Sequence, residues 1–327
     1  MFPFLTRFSL QTAILIFIGS VPLHAQSNAS TTRSEPGAVS PVSAKVLTGW
    51  PGAAPDTEGD LSFDTKSLRF ITERSSGEIP KSRIIAVSGG DEQIETGGKA
   101  GRIARVVIPY GGGLALGAVT HKKVGLLTIE FLDASGEYHG AVFELQAADM
   151  PATLEKIAFQ PSAGARLRAA AAVGCPEWKI QANAVRVQPI DADQAISFPA
   201  EDRVLLYENL VRRLESEKTI QNVYRAGDQS PEAGCAEFTV TVRATAFGKG
   251  NQAARASVGP LGHFIGTTKL NFHLTISKQD GSPNFDVDLK KSEGSDTDSL
   301  NITKVVSKTV VKNLKKSRTQ MRKTEMS

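Results

Sequence analysis

Side chains that exchange protons, hold metals or attack bonds are present in this sequence, but none stands at a spacing that a known chemistry requires. The five histidines, His24, His121, His139, His263 and His273, are scattered, with no pair one helical turn apart as zinc sites and zinc proteases use. They read as ordinary loop and strand residues. No serine sits in a GxSxG elbow, and neither cysteine has a nucleophile's context. Asp133 with Glu137, and Asp286 with Asp288, are acid pairs at hairpin edges, where carboxylates are usually solvated. The run Ser295, Asp296, Thr297, Asp298, Ser299 lacks the spaced ligands and closing glutamate of a calcium loop and precedes a helix, so capping is the expectation. In IPYGGGLALG, Gly111, Gly113 and Gly117 come close to a dinucleotide fingerprint but carry one residue too many, and strand pattern resumes where a long helix is needed. The sequence therefore predicts no catalytic residues, no metal site and no cofactor.

Three features suit structure or binding instead. Cys175 and Cys235 are the only two cysteines, and in an oxidising compartment they form a candidate disulfide. The loop SVGPLGHFIGTT sets Leu261, Phe264 and Ile265 among glycines, which either pack on the core or offer an apolar contact to a partner or membrane. Near the C-terminus Ile302, Val305, Val306, Val310 and Leu314 line one helical face, while Lys304, Lys308, Lys312 and Lys315 follow the opposite one. With Lys316 and Arg318 they form a candidate polyanion contact, set against a plain solvated helix face.

These residues need a compartment and a frame. The chain opens with Arg7, an uncharged stretch centred on Ala13 to Ile18, a helix-breaking Pro22 and the small Ala25, the layout of a secretory signal peptide cleaved after Ala25. Its apolar centre is too short to span a bilayer, and no lipid-anchor cysteine follows. Export makes nucleic acid a poor target for the basic segment. The formal net charge of +4 is concentrated between Lys304 and Lys323, so the remainder is mildly acidic. Residues 26–44 are rich in Ser, Thr, Ala and Pro and read as a disordered lead.

From 45 to 158 short apolar runs between turn signals predict antiparallel strands. VGLLTIEFLDASGEYHGAVFEL is a hairpin turning at Asp133 to Gly136, and AADMPATLEKIAF a closing helix. Residues 159–184 read as a linker. From 185 to 316 the pattern is strand, helix (Tyr207, Leu210, Val211 and Leu214 on one face, with Glu208, Arg212 and Arg213 off it), short strands and a final helix, with 317–327 a basic tail. The fold class is α+β in two domains.

The segments GDLSFDTKSLRF, IPKSRIIAVSGGDE, the hairpin and its closing helix resemble bacterial domains of pleckstrin-homology-like fold over about 110 residues, the size of one domain; the resemblance implies a β-barrel closed by a helix and no particular ligand. The LYENLVRRL helix, the strands around the glycine-rich loop and the final helix resemble a family of bacterial envelope domains of unknown function, many of them on lipoproteins. That plan is also similar to small α+β domains of periplasmic assembly and transport accessories, and it implies no active site. The expectation is an exported, non-enzymatic binding or scaffolding protein, periplasmic or extracellular, whose partner is another envelope protein. Its alternatives are a peripheral protein on anionic lipid or lipopolysaccharide and an enzyme of unrecognised type.

Overall fold

The structure, a computed structural model, describes residues 41–95, 121–160, 167, 175–250, 267–293 and 299–325. The alternation VSAKVLT puts Val42, Ala44, Val46 and Thr48 on one buried face of β1 (Val42–Thr48). It pairs with β2 (Thr57–Phe63), followed in antiparallel order by β3 (Ser67–Ile71) and β4 (Ser76–Pro80). On its other edge β1 pairs with β7 (Tyr138–Gln146), which continues through β6 (His121–Leu132) to β5 (Ile84–Glu95). The sheet order is therefore 4-3-2-1-7-6-5. It is open, with β4 and β5 at its edges, and the barrel expected from the sequence is reduced to a seven-stranded antiparallel sheet with a helix against it. That helix, α1 (Met150–Ile157), lies over Gly89 and Gly125, where a Cβ would come within 2.8 Å of Leu154 and Met150. Trp50, Phe70 and Phe143 meet at centroid distances of 5.2 to 6.2 Å in the core, each buried ring contributing about 1.5–3 kcal/mol.

The hairpin of β6 and β7 turns where the sequence predicts, with Leu132 opposite Tyr138. Its run VGLLTIEFL does not alternate, because both faces are covered. Leu127, Ile129 and Phe131 face the sheet's own core, while Val142 packs against Val204 and Leu205 of the next helix, α2 (Ala200–Glu215). Continuous apolar text is what a doubly covered strand requires.

The second sheet has the order β10-β8-β11-β12-β13, with β9 also on β11. β8 (Gln181–Val187) runs parallel to β10 (Asn222–Tyr224) and β11 (Ala236–Gly248), and β9 (Asp191–Ala192) is parallel to β11 as well. β12 (Thr268–Lys278) and β13 (Pro283–Glu293) extend it antiparallel. The short α3 (Pro231–Gly234), capped by the Ser230 hydroxyl, precedes β11. On one face of this sheet Phe238, Val240, Phe272 and Leu274 join Leu206, Tyr207, Leu210 and Leu214 of α2, and Val306, Val310 and Leu314 of α4 (Asn301–Glu325). Tyr138 of the first sheet belongs to the same core, so the two halves are welded along α2. The sheet begins at Gln181 rather than 185, and α4 runs to Glu325, so most of the expected tail is helix.

Cys175 and Cys235 are bonded, with Cα atoms 5.3 Å apart and 60 residues between them in sequence. The bond ties the approach to β8 to the start of β11, where Gln181 N–H donates to the Cys235 carbonyl at 2.8 Å. Loop-closure entropy for a link of this length is worth up to about 4 kcal/mol. Replacing both cysteines with alanine is expected to lower the free energy of unfolding by about 2–4 kcal/mol, measured by urea titration against the oxidised wild type; an unchanged midpoint would show that the bond adds nothing.

Candidate functional site

Two tight turns meet where the halves join. At the tip of the β6–β7 hairpin the Asp133 carboxylate accepts from Ser135 N–H (2.9 Å), Ser135 Oγ (2.7 Å) and Glu137 N–H (2.9 Å). The facing turn follows β10: Tyr138 N–H donates to the Ala226 carbonyl at 2.7 Å. Gly136 and Gly227 both have φ near +90°, and a Cβ on Gly227 would overlap the Gly136 carbonyl. Only glycine allows both the conformation and the approach.

This contact delivers Arg225 to α2. Its guanidinium donates to both Glu208 carboxylate oxygens, each at 2.8 Å, and to the Tyr138 carbonyl at 3.2 Å. Glu208 also accepts from Gly140 N–H at 3.1 Å, and Tyr207 Oη accepts from Ala226 N–H at 2.9 Å. Burial works against the Arg225 charge, but the hydrogen bonds and charge of Glu208 outweigh it and hold its proton more tightly than usual. One turn earlier on α2, Arg203 pairs with Glu130, which also accepts from Tyr138 Oη at 2.7 Å.

Beside these bonds lies a cavity of about 430 Å³. Trp50, Pro51, Pro55 and Phe131 give it apolar walls, and Asp133, His139, Glu208, Arg225, Arg212 and Glu215 supply polar ones. His139 stacks on Phe131 with centroids 5.5 Å apart. Burial and the Arg225 charge lower its pKa, so the imidazole is neutral at pH 7. Burial opposes ionisation of Asp133, yet the Ser135 and Glu137 hydrogen bonds and nearby His139 bring its pKa below the usual carboxylate range. Glu137 goes the other way: burial, then the charges of Asp133 and Asp228, push it up to about 7. Asp133, Glu137 and His139, read from sequence as solvated or ordinary, are brought together here.

A second charged group lies at the start of α2. Glu92 of β5 pairs with Lys249 at 3.2 Å and accepts from Ser299 Oγ, while Glu201 covers Gly90. Asp202 is buried, and neither carboxylate oxygen has a hydrogen-bond partner among the described residues. Burial and the neighbouring Glu201 raise its pKa to about 8, against the pull of Lys249.

Of the residues singled out from sequence, Lys304, Lys308, Lys312, Lys315 and Lys316 are exposed along α4, with Lys315 paired to Glu217. Arg318 departs from that stripe. It is buried, donating to Thr219 Oγ1 at 3.2 Å and to Asn183 Oδ1, because the helix at that turn meets β8 and the segment that follows α2. Leu261, Phe264 and Ile265, the glycines of IPYGGGLALG, residues 295–298 and the signal segment lie outside the described residues. His273 sits between Asp286 and Asp288 on the exposed β12–β13 pair.

No protein-family model matches the chain, and no curated protein matches it. Among solved structures, a point variant of the PelC dodecamer from Paraburkholderia phytofirmans is similar at a TM-score of 0.26 and 9% identity, over 40% of this chain and 88% of that one. A likeness that slight is not evidence of a shared fold.

Asp202 yields a pH prediction. Its folded pKa near 8 stands above the unfolded value of about 3.9, so the native state holds a proton that the unfolded state has lost. Its contribution to stability is complete below about pH 4 and is lost as pH rises towards 8. Asp202→Asn is expected to leave the melting temperature unchanged near pH 4 and to raise it at pH 8, read by thermal unfolding across that range; an equal or lower value at pH 8 would contradict the assignment.

Proposed function

We propose that this chain is an exported protein of the bacterial envelope that binds a small amphipathic ligand in the cavity between its first sheet and α2, and holds it without converting it. The observation that carries the reading is the state of the cavity's charges. Glu208 is saturated by Arg225 and Gly140 and one oxygen of Asp133 by its own turn, while Trp50, Pro51, Pro55 and Phe131 form an apolar seat. Export is supported by the leader pattern around Arg7 and Ala25 and by the Cys175–Cys235 bond, which suits an oxidising compartment. No helix among the described residues is long and apolar enough to cross a membrane. We read the first half as a pleckstrin-homology-like plan, supported by its four-plus-three strand order and terminal helix.

The test is native mass spectrometry of the protein exported in a bacterial host, with and without Ala53→Phe, which fills the cavity. The expected result is a small-molecule adduct on the wild type that is absent from the variant. Protein free of any adduct, or an adduct retained by the variant, would overturn the reading.

The exposed lysines of α4 favour a second reading, contact with an anionic membrane. Lys304, Lys308, Lys312 and Lys316 recur every fourth residue along about 18 Å of helix and are all exposed. Each lysine near an anionic surface is worth about 1 kcal/mol. On this reading, changing all four to glutamine weakens co-sedimentation with vesicles of anionic lipid by roughly 100-fold or more; wild-type protein that stays in the supernatant at low salt would exclude it.

A further inference from the structure

We propose that Asp133, Glu137 and His139 form a binding site for one divalent transition ion, with Zn²⁺ the best match. One candidate ligand atom from each residue lies within 4.8 Å of the other two. Ligands held about 2 Å from a zinc stand some 3–4 Å apart, so small side-chain rotations complete the site. The donor set selects the ion: calcium and magnesium take oxygen ligands, whereas one imidazole with two carboxylates suits zinc, and water fills the open position.

The frame is already rigid. Asp133 Oδ1 is occupied by the turn's own donors, which leaves Oδ2 facing His139. The Nε2 atom of His139 is 3.6 Å from that oxygen, too far for a hydrogen bond, and the ring is held in place by stacking on Phe131. Asp228, on the facing turn, lies near enough to raise the Glu137 pKa by its charge, so three carboxyl groups crowd a partly buried pocket where one cation would relieve their mutual repulsion. Asp133, Glu137 and His139 are each partly exposed, which gives an ion a direct route in.

His273 provides the contrast. Both of its ring nitrogens face carboxylates, Asp286 on one side and Asp288 at 2.9 Å on the other, so neither nitrogen is open to a metal. Among the described residues, the grouping at Asp133, Glu137 and His139 is the one with three converging ligand atoms.

The experiment titrates chelator-treated full-length protein with Zn²⁺ by calorimetry and with Co²⁺ by visible absorption, which reports coordination geometry. Wild type is expected to bind one ion per chain and to give the intense Co²⁺ bands of a four-coordinate site. The double variant Glu137→Gln with His139→Gln keeps the Asp133 turn, checked by circular dichroism, and is expected to lose about 100-fold or more in affinity. His273→Gln is expected to bind as wild type does. Absence of binding by the wild type, or undiminished binding by the double variant, would overturn the proposal. Zn²⁺ needs no small molecule in the cavity, so Ala53→Phe protein should still take it up, and failure of the metal site is distinguishable from failure of the ligand-binding reading.

Discussion

The Glu208–Arg225 pair is the constraint on which the rest of the structure depends. Glu208 projects from a helix enclosed by both sheets, and burying a carboxylate there is costly without a hydrogen-bonded partner. Arg225 supplies that partner in bidentate form, and Gly140 N–H adds a third bond. One side chain thus ties α2, the β6–β7 hairpin and the turn after β10 together. Such a pair adds little net stability over an apolar filling, but losing one member leaves a buried charge, at a cost of about 3–5 kcal/mol. Its value lies in fixing one arrangement of the two sheets.

The packing around α2 follows from the same constraint. A surface helix needs one apolar stripe, whereas α2 buries Val204 and Leu205 against the first sheet and Leu206, Tyr207, Leu210 and Leu214 against the second. Gly140 permits the close approach, since a Cβ there would collide with Val204. The cavity lies beside this contact, walled by Trp50 and Phe131 on one side and by the end of α2 on the other. Its polar lining is the fringe of the ion pair, so binding there and cohesion between the halves share residues.

Much of the frame was legible in the sequence. The hairpin announced itself through two apolar runs around Asp133–Gly136, and Tyr207, Leu210, Val211 and Leu214 marked α2 by their spacing. What misled was the assumption of a single covered face. Glu208 was placed off the helix's apolar side, and so it is; a second sheet covers that side too, which no local pattern records. Arg225 comes from a loop and carries no positional signal at all. Asp133, Glu137 and His139 did carry one, because residues on either side of a tight turn share an end of the hairpin, but acids at a turn are usually solvated. The first half was expected to close into a barrel, yet strand pattern cannot say whether β4 and β5 pair. Arg318 followed the lysine spacing and still turned inward, drawn by Asn183 and Thr219.

The central claim is that this buried pair couples the two sheets into one cooperative structure. A double-mutant cycle of Glu208→Gln and Arg225→Met, followed by urea unfolding, measures that coupling directly. A single unfolding transition in every variant and a coupling energy of about 2–3 kcal/mol are predicted; additive single effects, with the halves unfolding in separate transitions in the wild type, would contradict it.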